Sequence, residues 1–180
     1  EKQSGLKQSG VYVIVGGSGT VGRIITRYLI REYGARVVWI GRAPATAESI
    51  QEKIASVRGS GAGPLYLQAD ATDRASLEEA VERIHREYGT IHGALFSAVV
   101  FTAENSVAKT TESEFLEIVD VKTRGAVNFH SVFQSEALDF LCYFSSIQSF
   151  SFLPSKDSCG YATGITSADA FVKSLPPDGG

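Results

Sequence analysis

Short apolar runs alternate along the chain with longer segments in which apolar side chains recur every three or four residues. The runs occupy residues 11–15, 37–40, 65–67, 91–96 and 140–144, and such continuous runs are typical of strands that are buried on both faces. The periodic segments predict helices at about residues 21–33, 47–57, 77–88 and 112–137 and from Tyr161 onward. This alternation predicts an α/β fold with a doubly wound, Rossmann-like parallel sheet. Because the pattern stops soon after the fifth unit, we expect the C-terminal part of a larger sheet to be truncated.

The first predicted helix has the clearest periodicity. Its apolar positions are Val21, Ile24, Ile25, Tyr28 and Leu29. Residues spaced in this way form one stripe, and a helix normally turns such a stripe toward the core. Gly34 follows the stripe and predicts the end of the helix, because glycine readily adopts the left-handed conformation found there.

A glycine-rich loop connects the first predicted strand to this helix. Residues 16–22 read Gly-Gly-Ser-Gly-Thr-Val-Gly and contain the Gly-x-Gly-x-x-Gly fingerprint. Glycine lets the backbone turn tightly and approach a pyrophosphate, and free N–H groups at the helix start receive the negative charge. The motif therefore predicts that a dinucleotide is bound by Gly17, Ser18, Gly19, Thr20, Val21 and Gly22.

The residues after the second predicted strand bear on the choice between NADH and NADPH. NAD-binding folds carry an acidic residue about 20 positions beyond the loop, where this chain has Gly41 and Arg42. A guanidinium pairs well with a phosphate, so Arg42 predicts NADPH; a solvated surface arginine is the alternative. Asp70, Ala71 and Ala98 complete the predicted cofactor-binding residues. The Asp70 carboxylate either caps its loop or meets the adenine amino group.

The candidate catalytic residues follow from the last strand and the helices around it. Ser145 and Ser146 end the fifth apolar run and Tyr161 opens the final helix, so we expect them at the carboxyl edge of the sheet, where cofactors bind. The fourth residue after Tyr161 is Ile165, and Lys122 occurs in the helical segment before the strand. We therefore select Tyr161 and Ser146 as candidates.

With these residues in view, the whole chain resembles the ketoreductase domains of modular polyketide synthases, which belong to the short-chain dehydrogenase/reductase superfamily. The resemblance rests on the loop at 16–22, Arg42, the Ala-Asp-Ala-Thr-Asp segment at 69–73, the Phe-Ser-Ser segment at 144–146, and Tyr161. Ordinary members of the superfamily carry Tyr-x-x-x-Lys and have Asn where Lys122 falls, and the relocated lysine is the mark of the polyketide enzymes. Residues 147–150 are similar to the bacterial branch whose acyltransferases are separate proteins.

The resemblance implies a mechanism. NADPH delivers hydride to a ketone carbon while Tyr161 donates its phenolic proton to the developing alkoxide. Ser146 hydrogen-bonds the carbonyl oxygen, and the Lys122 ammonium favours the phenolate that Tyr161 becomes. The substrate is an acyl chain held as a thioester on the phosphopantetheine of an acyl carrier protein, and the carrier protein and the neighbouring synthase domains are the expected partners.

The chain departs from the family pattern in three places. The family serine lies 13 residues before the tyrosine, where this chain has Gln148; Ser146 lies 15 before it, and Ser145 or Ser149 is the alternative. The family often has Asn where Ile165 stands. The Leu-Asp-Asp segment of ketoreductases that make D-configured alcohols is replaced by Phe-Thr-Ala at 101–103, while the tryptophan of the opposite type is replaced by Ser158. Absence of the aspartate favours the L-configured alcohol.

Composition excludes other classes. The 180 residues carry 17 Lys and Arg against 20 Asp and Glu, with a pI near 5.6, and show no basic cluster that would indicate nucleic-acid binding. Polar residues interrupt the longest apolar stretch, so no membrane helix is expected. The two cysteines and three histidines lack metal-ligand spacing, so no metal is expected. A reducing, cytoplasmic location suits the free cysteines.

The sequence therefore predicts one ketoreductase domain over residues 1–180 that reduces a keto group, most simply the β-keto group, with NADPH. Because the chain has no methionine at its first position, we expect it to be cut from a longer polypeptide. Two alternatives stay open. One is a stand-alone short-chain reductase, and the other is a reduction-incompetent domain kept as a scaffold or for epimerisation.

Overall fold

Five parallel strands form a single sheet in the computed structural model, which describes residues 5–58, 62–100, 109–151 and 159–176. The strands are β1 (Val11–Val15), β2 (Arg36–Gly41), β3 (Leu65–Gln68), β4 (Gly93–Phe96) and β5 (Phe140–Tyr143). The helices are α1 (Thr20–Tyr33), α2 (Glu48–Arg58), α3 (Arg74–Tyr88), α4 (Glu112–Phe133) and α5 (Cys159–Ser174), with a 3₁₀ turn at Ile147–Ser149. The predicted alternation of strands and helices is confirmed.

The strand order is β3-β2-β1-β4-β5, so the chain reverses its direction of winding between β1 and β4. At the carboxyl end of β1, Val15 pairs with Ile40 of β2 on one side and with Phe96 of β4 on the other. In open α/β sheets a ligand binds in the crevice beyond this switch point. The doubly wound, Rossmann-like class predicted from the sequence is confirmed, and the fold defines where a cofactor is expected.

The continuous apolar run of β1 is explained by burial on both faces of the sheet. Val13 packs in one core with α3, α4 and part of α5, whereas Ile14 packs in a second core with α1 and α2. Neither side chain is accessible to solvent. Since successive side chains of a strand point to opposite faces, a strand between two helix layers needs an apolar residue at every position.

Some predicted boundaries were too long. β4 begins at Gly93 rather than at Ile91, and α4 ends at Phe133 rather than at Ala137. His92 still bonds β1, because its backbone N–H donates to the Val11 carbonyl at 2.9 Å. Apolar patterning continues into the flanking turns in each case, so the pattern alone does not indicate where regular hydrogen bonding stops.

The apolar stripe of α1 does not all face the core. Val21, Ile24 and Tyr28 are 45%, 58% and 45% exposed, respectively. The buried positions are Gly22, Thr26 and Leu29. The Thr26 hydroxyl accepts a hydrogen bond from the Trp39 indole at 2.8 Å and donates to the Gly22 carbonyl at 2.7 Å. Gly22 is small and the Thr26 hydroxyl is fully hydrogen-bonded, so this face of α1 can lie close to the sheet. The larger side chains therefore point outward.

Two glycines allow α5 to lie directly against α4. A Cβ atom on Gly164 would lie 3.0 Å from the Lys122 Cβ, and one on Gly160 would lie 3.4 Å from Ile118. α4 begins with a capping box between Thr111 and Glu114, which satisfies backbone donors at that end. The close helix pair brings the candidate lysine of α4 beside the first two turns of α5, where Tyr161 lies.

Candidate cofactor and active site

The glycine-rich loop turns sharply at the carboxyl end of β1. Gly16 has φ +83°, a left-handed conformation, and a Cβ atom there would lie 2.8 Å from the backbone of Ala98. Its N–H donates to the Ile40 carbonyl of β2 at 2.8 Å, and Gly19 donates back to the Gly16 carbonyl at 3.0 Å. The turn is therefore joined to both neighbouring strands and leads directly into α1.

The start of α1 is suited to binding a phosphate. Gly19 is the N-cap and offers no side chain to the helix, and the first intrahelical bond runs from Arg23 N–H to its carbonyl at 3.0 Å. The N–H groups of a helix's first turn have no acceptor within the helix, so they are the natural partners of an anion. Thr20 and Val21 supply such groups, and their role in binding a cofactor stays a prediction.

Gly17 and Gly22 have a packing role in the fingerprint. A Cβ atom on Gly22 would approach the Gly17 carbonyl oxygen, and one on Gly17 would enter the ring of Trp39. Both positions therefore require glycine so that α1 can begin against the turn. The residues predicted from one motif divide into a set that packs the loop and a set that faces the crevice.

A cavity of about 220 Å³ lies at the carboxyl ends of β1, β2 and β4. Six predicted cofactor-binding residues line it, namely Ser18, Gly19, Arg42, Asp70, Ala71 and Ala98. Lys53 of α2 and Val121 of α4 also line it and were not predicted. Lys53 is thus a second cation that lines the cavity together with Arg42. Nothing in the sequence around Lys53 indicates that α2 brings it to the glycine-rich loop.

Arg42 has a carboxylate partner in this structure. Its guanidinium Nη1 lies 2.9 Å from Glu117 Oε1 of α4, and both side chains are about half-exposed. Glu117 lies one turn before Val121, which lines the cavity, so the pair joins β2 and α4 at the edge of the crevice. Exposed ion pairs contribute about 0–1 kcal/mol, so a phosphate dianion can compete with Glu117 for this guanidinium.

Asp70 caps its own loop. Its Oδ1 accepts hydrogen bonds from the backbone N–H and the hydroxyl of Thr72, each at 2.8 Å. The neighbouring Ala71 carbonyl accepts from the Asn128 amide of α4 at 3.0 Å. Of the two roles that the sequence left open for the Asp70 carboxylate, the structure contains the loop cap, while the residue also lines the cavity.

Lys122 is buried on the inner face of α4. Lys122 is only 3% exposed, and its Nζ lies 5.7 Å from the centroid of the Phe96 ring at the end of β4. Burial lowers the pKa of Lys122 to about 8, and the negative charge of Asp169 opposes this change. The amine therefore remains mostly protonated near neutral pH, which a lysine that assists a phenolate requires.

The three candidate serines form one hydrogen-bonded cluster after β5. Ser146 Oγ accepts from the Gln148 N–H at 3.3 Å and caps the 3₁₀ turn, and Ser149 donates to the Ser146 carbonyl at 2.9 Å. Ser145 Oγ lies 3.3 Å from Ser149 Oγ. The choice of Ser146 over Ser145 and Ser149 stays a prediction.

Tyr161 lies in the first turn of α5 and is half-buried. Gly164, which follows within one turn, contacts Lys122 directly. Ile165 is 1% exposed, so the position at which the family often has Asn is part of the apolar interior here. The fold thus brings the tyrosine and lysine helices together, whereas the residues used to predict stereochemistry (101–103 and Ser158) lie outside the described residues.

A larger cavity of about 930 Å³ lies at the opposite edge of the sheet, near the amino end of β2. Arg27, Arg31 and Tyr88 help to line it, and none of the predicted site residues does. Because ligands of such sheets bind beyond the carboxyl ends of the strands, the smaller cavity is the candidate site despite its size. Gly16, Ser18 and Gly19 of the glycine-rich loop also line it.

Metal ligands and membrane spans were searched for in the described ranges. In those ranges no three His, Cys, Asp or Glu side chains converge on a common point. None of the helices formed by the described residues combines the length and apolar character that a membrane-spanning helix needs.

Comparison with known proteins then decides the family. The family model of the KR domain matches residues 10–179. This chain belongs to the KR-domain family. It is 40% identical over 174 residues to polyketide synthase ThaG of Burkholderia thailandensis and 37% identical over 169 residues to polyketide synthase PksM of Bacillus subtilis. These matches cover 97% and 94% of this chain but only 3% and 4% of the relatives' lengths.

Solved structures agree with this family. An N-terminal ketoreductase from the macrolactin assembly line superposes with a TM-score of 0.84 at 27% identity, covering 96% of this chain and 35% of the other. A ketoreductase domain from the bacillaene assembly line gives a TM-score of 0.81 at 27% identity, covering 91% of this chain and 39% of the other. The resemblance stated from the sequence is confirmed, and with it a ketoreductase fold whose family reduces keto groups with a nicotinamide cofactor.

Proposed function

We propose that residues 1–180 form an NADPH-dependent ketoreductase domain within a larger bacterial polyketide synthase. It reduces the β-keto group of an acyl chain that is held as a thioester on an acyl carrier protein. The observation that carries the proposal is the buried Lys122 of α4, which packs against the turn of α5 that follows Tyr161. A buried ammonium beside a phenol-bearing helix turn, at the edge where the phosphate loop lies, suits proton delivery to a carbonyl oxygen.

The residues of the chain fit NADPH. The uncapped start of α1 can hold the pyrophosphate, and Arg42 and Lys53 provide two cations for the 2′-phosphate. When bound, NADPH supplies the hydride for the ketone carbon. Gly16 and Gly19 leave room for the pyrophosphate because neither carries a side chain. The cofactor choice thus rests on two positive side chains and on a carboxylate-free end of β2.

The chain's own residues then handle the proton. Tyr161 donates its phenolic proton to the carbonyl oxygen as charge develops there, and Ser146 donates a hydrogen bond that orients that oxygen. The Lys122 ammonium stabilises the phenolate left on Tyr161; two unit charges about 4 Å apart interact by about 4 kcal/mol at an effective dielectric constant near 20. Lys122 therefore contributes as a charge, and burial strengthens that contribution.

The partners and the product follow from the same proposal. The named relatives are polyketide synthases, which favours a carrier-bound substrate and neighbouring synthase domains as partners. Residues 147–150 favour the branch with separate acyltransferases, and Phe-Thr-Ala at 101–103 favours an L-configured alcohol. A cytoplasmic location suits free cysteines at positions 142 and 159.

The experiment that tests this function follows NADPH oxidation by absorbance, with the intact protein and a β-ketoacyl thioester as a surrogate substrate. We expect oxidation that matches the formation of hydroxyacyl product. NADPH binding without oxidation, together with exchange of the substrate's α-hydrogen for solvent deuterium, would favour the scaffold or epimerisation alternative that Ile165 raises. An α-ketoacyl thioester serves as the second substrate, and failure to bind NADPH would contradict the cofactor assignment.

Replacing Arg42 with Ala is expected to raise the KM for NADPH about tenfold to a hundredfold, because a hydrogen bond to a charged group contributes about 1.5–3 kcal/mol and about 1.4 kcal/mol corresponds to tenfold. The KM for NADH should change little, since NADH lacks the 2′-phosphate. Initial rates with both cofactors provide the measurement. Glu117→Gln is the matched variant: it removes the carboxylate that competes for Arg42 and should lower the KM for NADPH. An equal rise in the KM for NADPH and for NADH in Arg42→Ala would show that Arg42 does not bind the 2′-phosphate.

A further inference from the structure

Asp169 lies on α5 two turns beyond Tyr161 and has no assigned role in the mechanism above. Tyr161, Ile165 and Asp169 are spaced by four residues, so they follow one another along the same side of the helix. Asp169 Oδ2 accepts a hydrogen bond of 2.7 Å from Ser145 Oγ. The carboxylate therefore joins α5 to the serine cluster that follows β5.

The same carboxylate is carried by the helix that packs against the buried lysine, since a Cβ atom on Gly164 would lie 3.0 Å from the Lys122 Cβ. The charge of Asp169 favours the ammonium form of Lys122, in opposition to the burial that lowers this pKa. A buried ammonium is costly unless a negative charge compensates for it. Asp169 supplies that compensation from the helix facing α4, on the side where Tyr161 also lies.

Other charged groups on α4 and α5 have partners other than Lys122. On α4, Arg124 pairs with Asp120 at 3.4 Å, and Glu117 pairs with Arg42. On α5, the Lys173 ammonium lies 5.4 Å from the centroid of the Phe150 ring. The remaining titratable groups of α5 are Cys159 and Tyr161, while β4 contributes the uncharged Phe96 ring and the 3₁₀ turn contributes only Ile, Gln and Ser.

We propose that Asp169 is a positioning residue of the reductase, which tethers the serine loop through Ser145 and holds the positive charge on Lys122. The proposal rests on the reductase function proposed above. One carboxylate thus bonds Ser145, in the loop that also carries Ser146, and lies on the helix that packs against Lys122. Loss of the carboxylate should therefore change both the geometry of the loop and the pH range over which the lysine is charged.

Asp169→Asn and Ser145→Ala separate these two effects. Asn keeps an oxygen that accepts from Ser145 but removes the charge, whereas Ser145→Ala removes the tether but keeps the charge. The measurement is the pH profile of kcat at saturating NADPH. In the parent, kcat should fall as pH rises through the pKa of Lys122, which is about 8.

We call this fall of kcat at high pH the alkaline limb. In Asp169→Asn its midpoint should move to lower pH by about one unit, because a nearby opposite charge commonly alters a pKa by about 1–3 units. Ser145→Ala should raise the KM for the ketone severalfold and leave the limb in place. Asp169→Glu, which keeps the charge, should restore the limb. An unmoved limb in Asp169→Asn, with NADPH binding intact, would overturn the proposal.

A second measurement does not depend on turnover. Lysine labelled with ¹³C at Cε is titrated by NMR in the parent and in Asp169→Asn, and the Lys122 signal is assigned by its absence in Lys122→Met. A lower midpoint in Asp169→Asn supports the charge link even if the parent reduces no ketone, in which case the proposed function fails by itself. An equal midpoint in both proteins contradicts the link whether or not the protein is a reductase.

Discussion

Tyr161→Phe is expected to lower kcat for keto reduction at least about a hundredfold, because removal of a positioned general acid typically costs about 10²–10⁴ in rate. Phe keeps the ring in the first turn of α5 and removes only the hydroxyl that we propose as the proton donor. NADPH binding should be unchanged, since the phosphate loop and Arg42 lie on other elements. The measurement is single-turnover reduction of the thioester at saturating NADPH, beside a binding titration of the cofactor.

Tyr143→Phe is the matched control for this prediction. Tyr143 ends β5, its hydroxyl lies 3.1 Å from His130 Nδ1 of α4, and the proposed mechanism assigns it no proton transfer. Burial raises the pKa of Tyr143, so its phenol is a poor proton donor near neutral pH. This variant should keep the parental rate within a few-fold. Similar losses in both variants would indicate that the hydroxyls act through packing, and a parental rate in Tyr161→Phe would exclude Tyr161 as the acid.

Lys122→Met is expected to have two opposite effects, a loss of activity and a gain of stability. Met has a long unbranched side chain that can fill the same space, but it carries no charge. Without the ammonium the phenolate of Tyr161 loses its support, and kcat near neutral pH should fall about a hundredfold, which is about 2.7 kcal/mol in the barrier. Activity and stability are thus opposed at this one position.

The gain in stability has a defined pH dependence. The folded pKa of Lys122 is about 8, below the ordinary value of about 10.4 for the unfolded chain, so folding penalises the charged form. That difference corresponds to about 3 kcal/mol, an upper limit for the gain in unfolding free energy of the Met variant. The gain should be complete below pH 8 and should shrink as pH rises. It should vanish above about pH 10.4, where Lys122 is neutral in both the folded and the unfolded protein.

Urea unfolding near neutral pH and near pH 10.5 measures this difference, with the parent beside the variant. Lys173→Met is the control, since Lys173 is exposed at the end of α5 and should show neither the stability gain nor the loss of kcat. A Lys122→Met protein that is less stable than the parent near neutral pH would show that the ammonium has favourable partners that outweigh its burial. Retained activity would remove Lys122 from the mechanism.

The positions of the strands and of the phosphate loop could be predicted from the sequence because their signals are local. A strand covered on both faces must be apolar at every position, as β1 is, and Gly17, Gly19 and Gly22 are needed within one short turn. Tyr161 was predicted from its place after the fifth strand, and Lys122 was recognised only through the family resemblance. Nothing in the spacing of residues 122 and 161 indicates that their helices pack together.

The environment of each site residue required the tertiary structure. The contacts between Ser145 and Asp169 and between Arg42 and Glu117 join residues 24 and 75 positions apart, and both depend on how α4 and α5 pack. The orientation of α1 was also beyond the pattern, because its buried face includes Thr26, whose hydroxyl bonds both Trp39 and the Gly22 carbonyl. A polar residue with a buried partner has the same sequence pattern as one that faces solvent.

The sequence by itself therefore determined the order of strands and helices along the chain and the place of the glycine-rich loop between β1 and α1. These follow from short-range rules of burial period and backbone conformation, which act within a few residues. Only the tertiary structure decided that Lys122 is buried, that Gly164 allows α5 to lie against it, and that Asp169 accepts a hydrogen bond from Ser145. Desolvation and charge interactions depend on distances between elements far apart in the chain, and those distances exist only once the helices have packed.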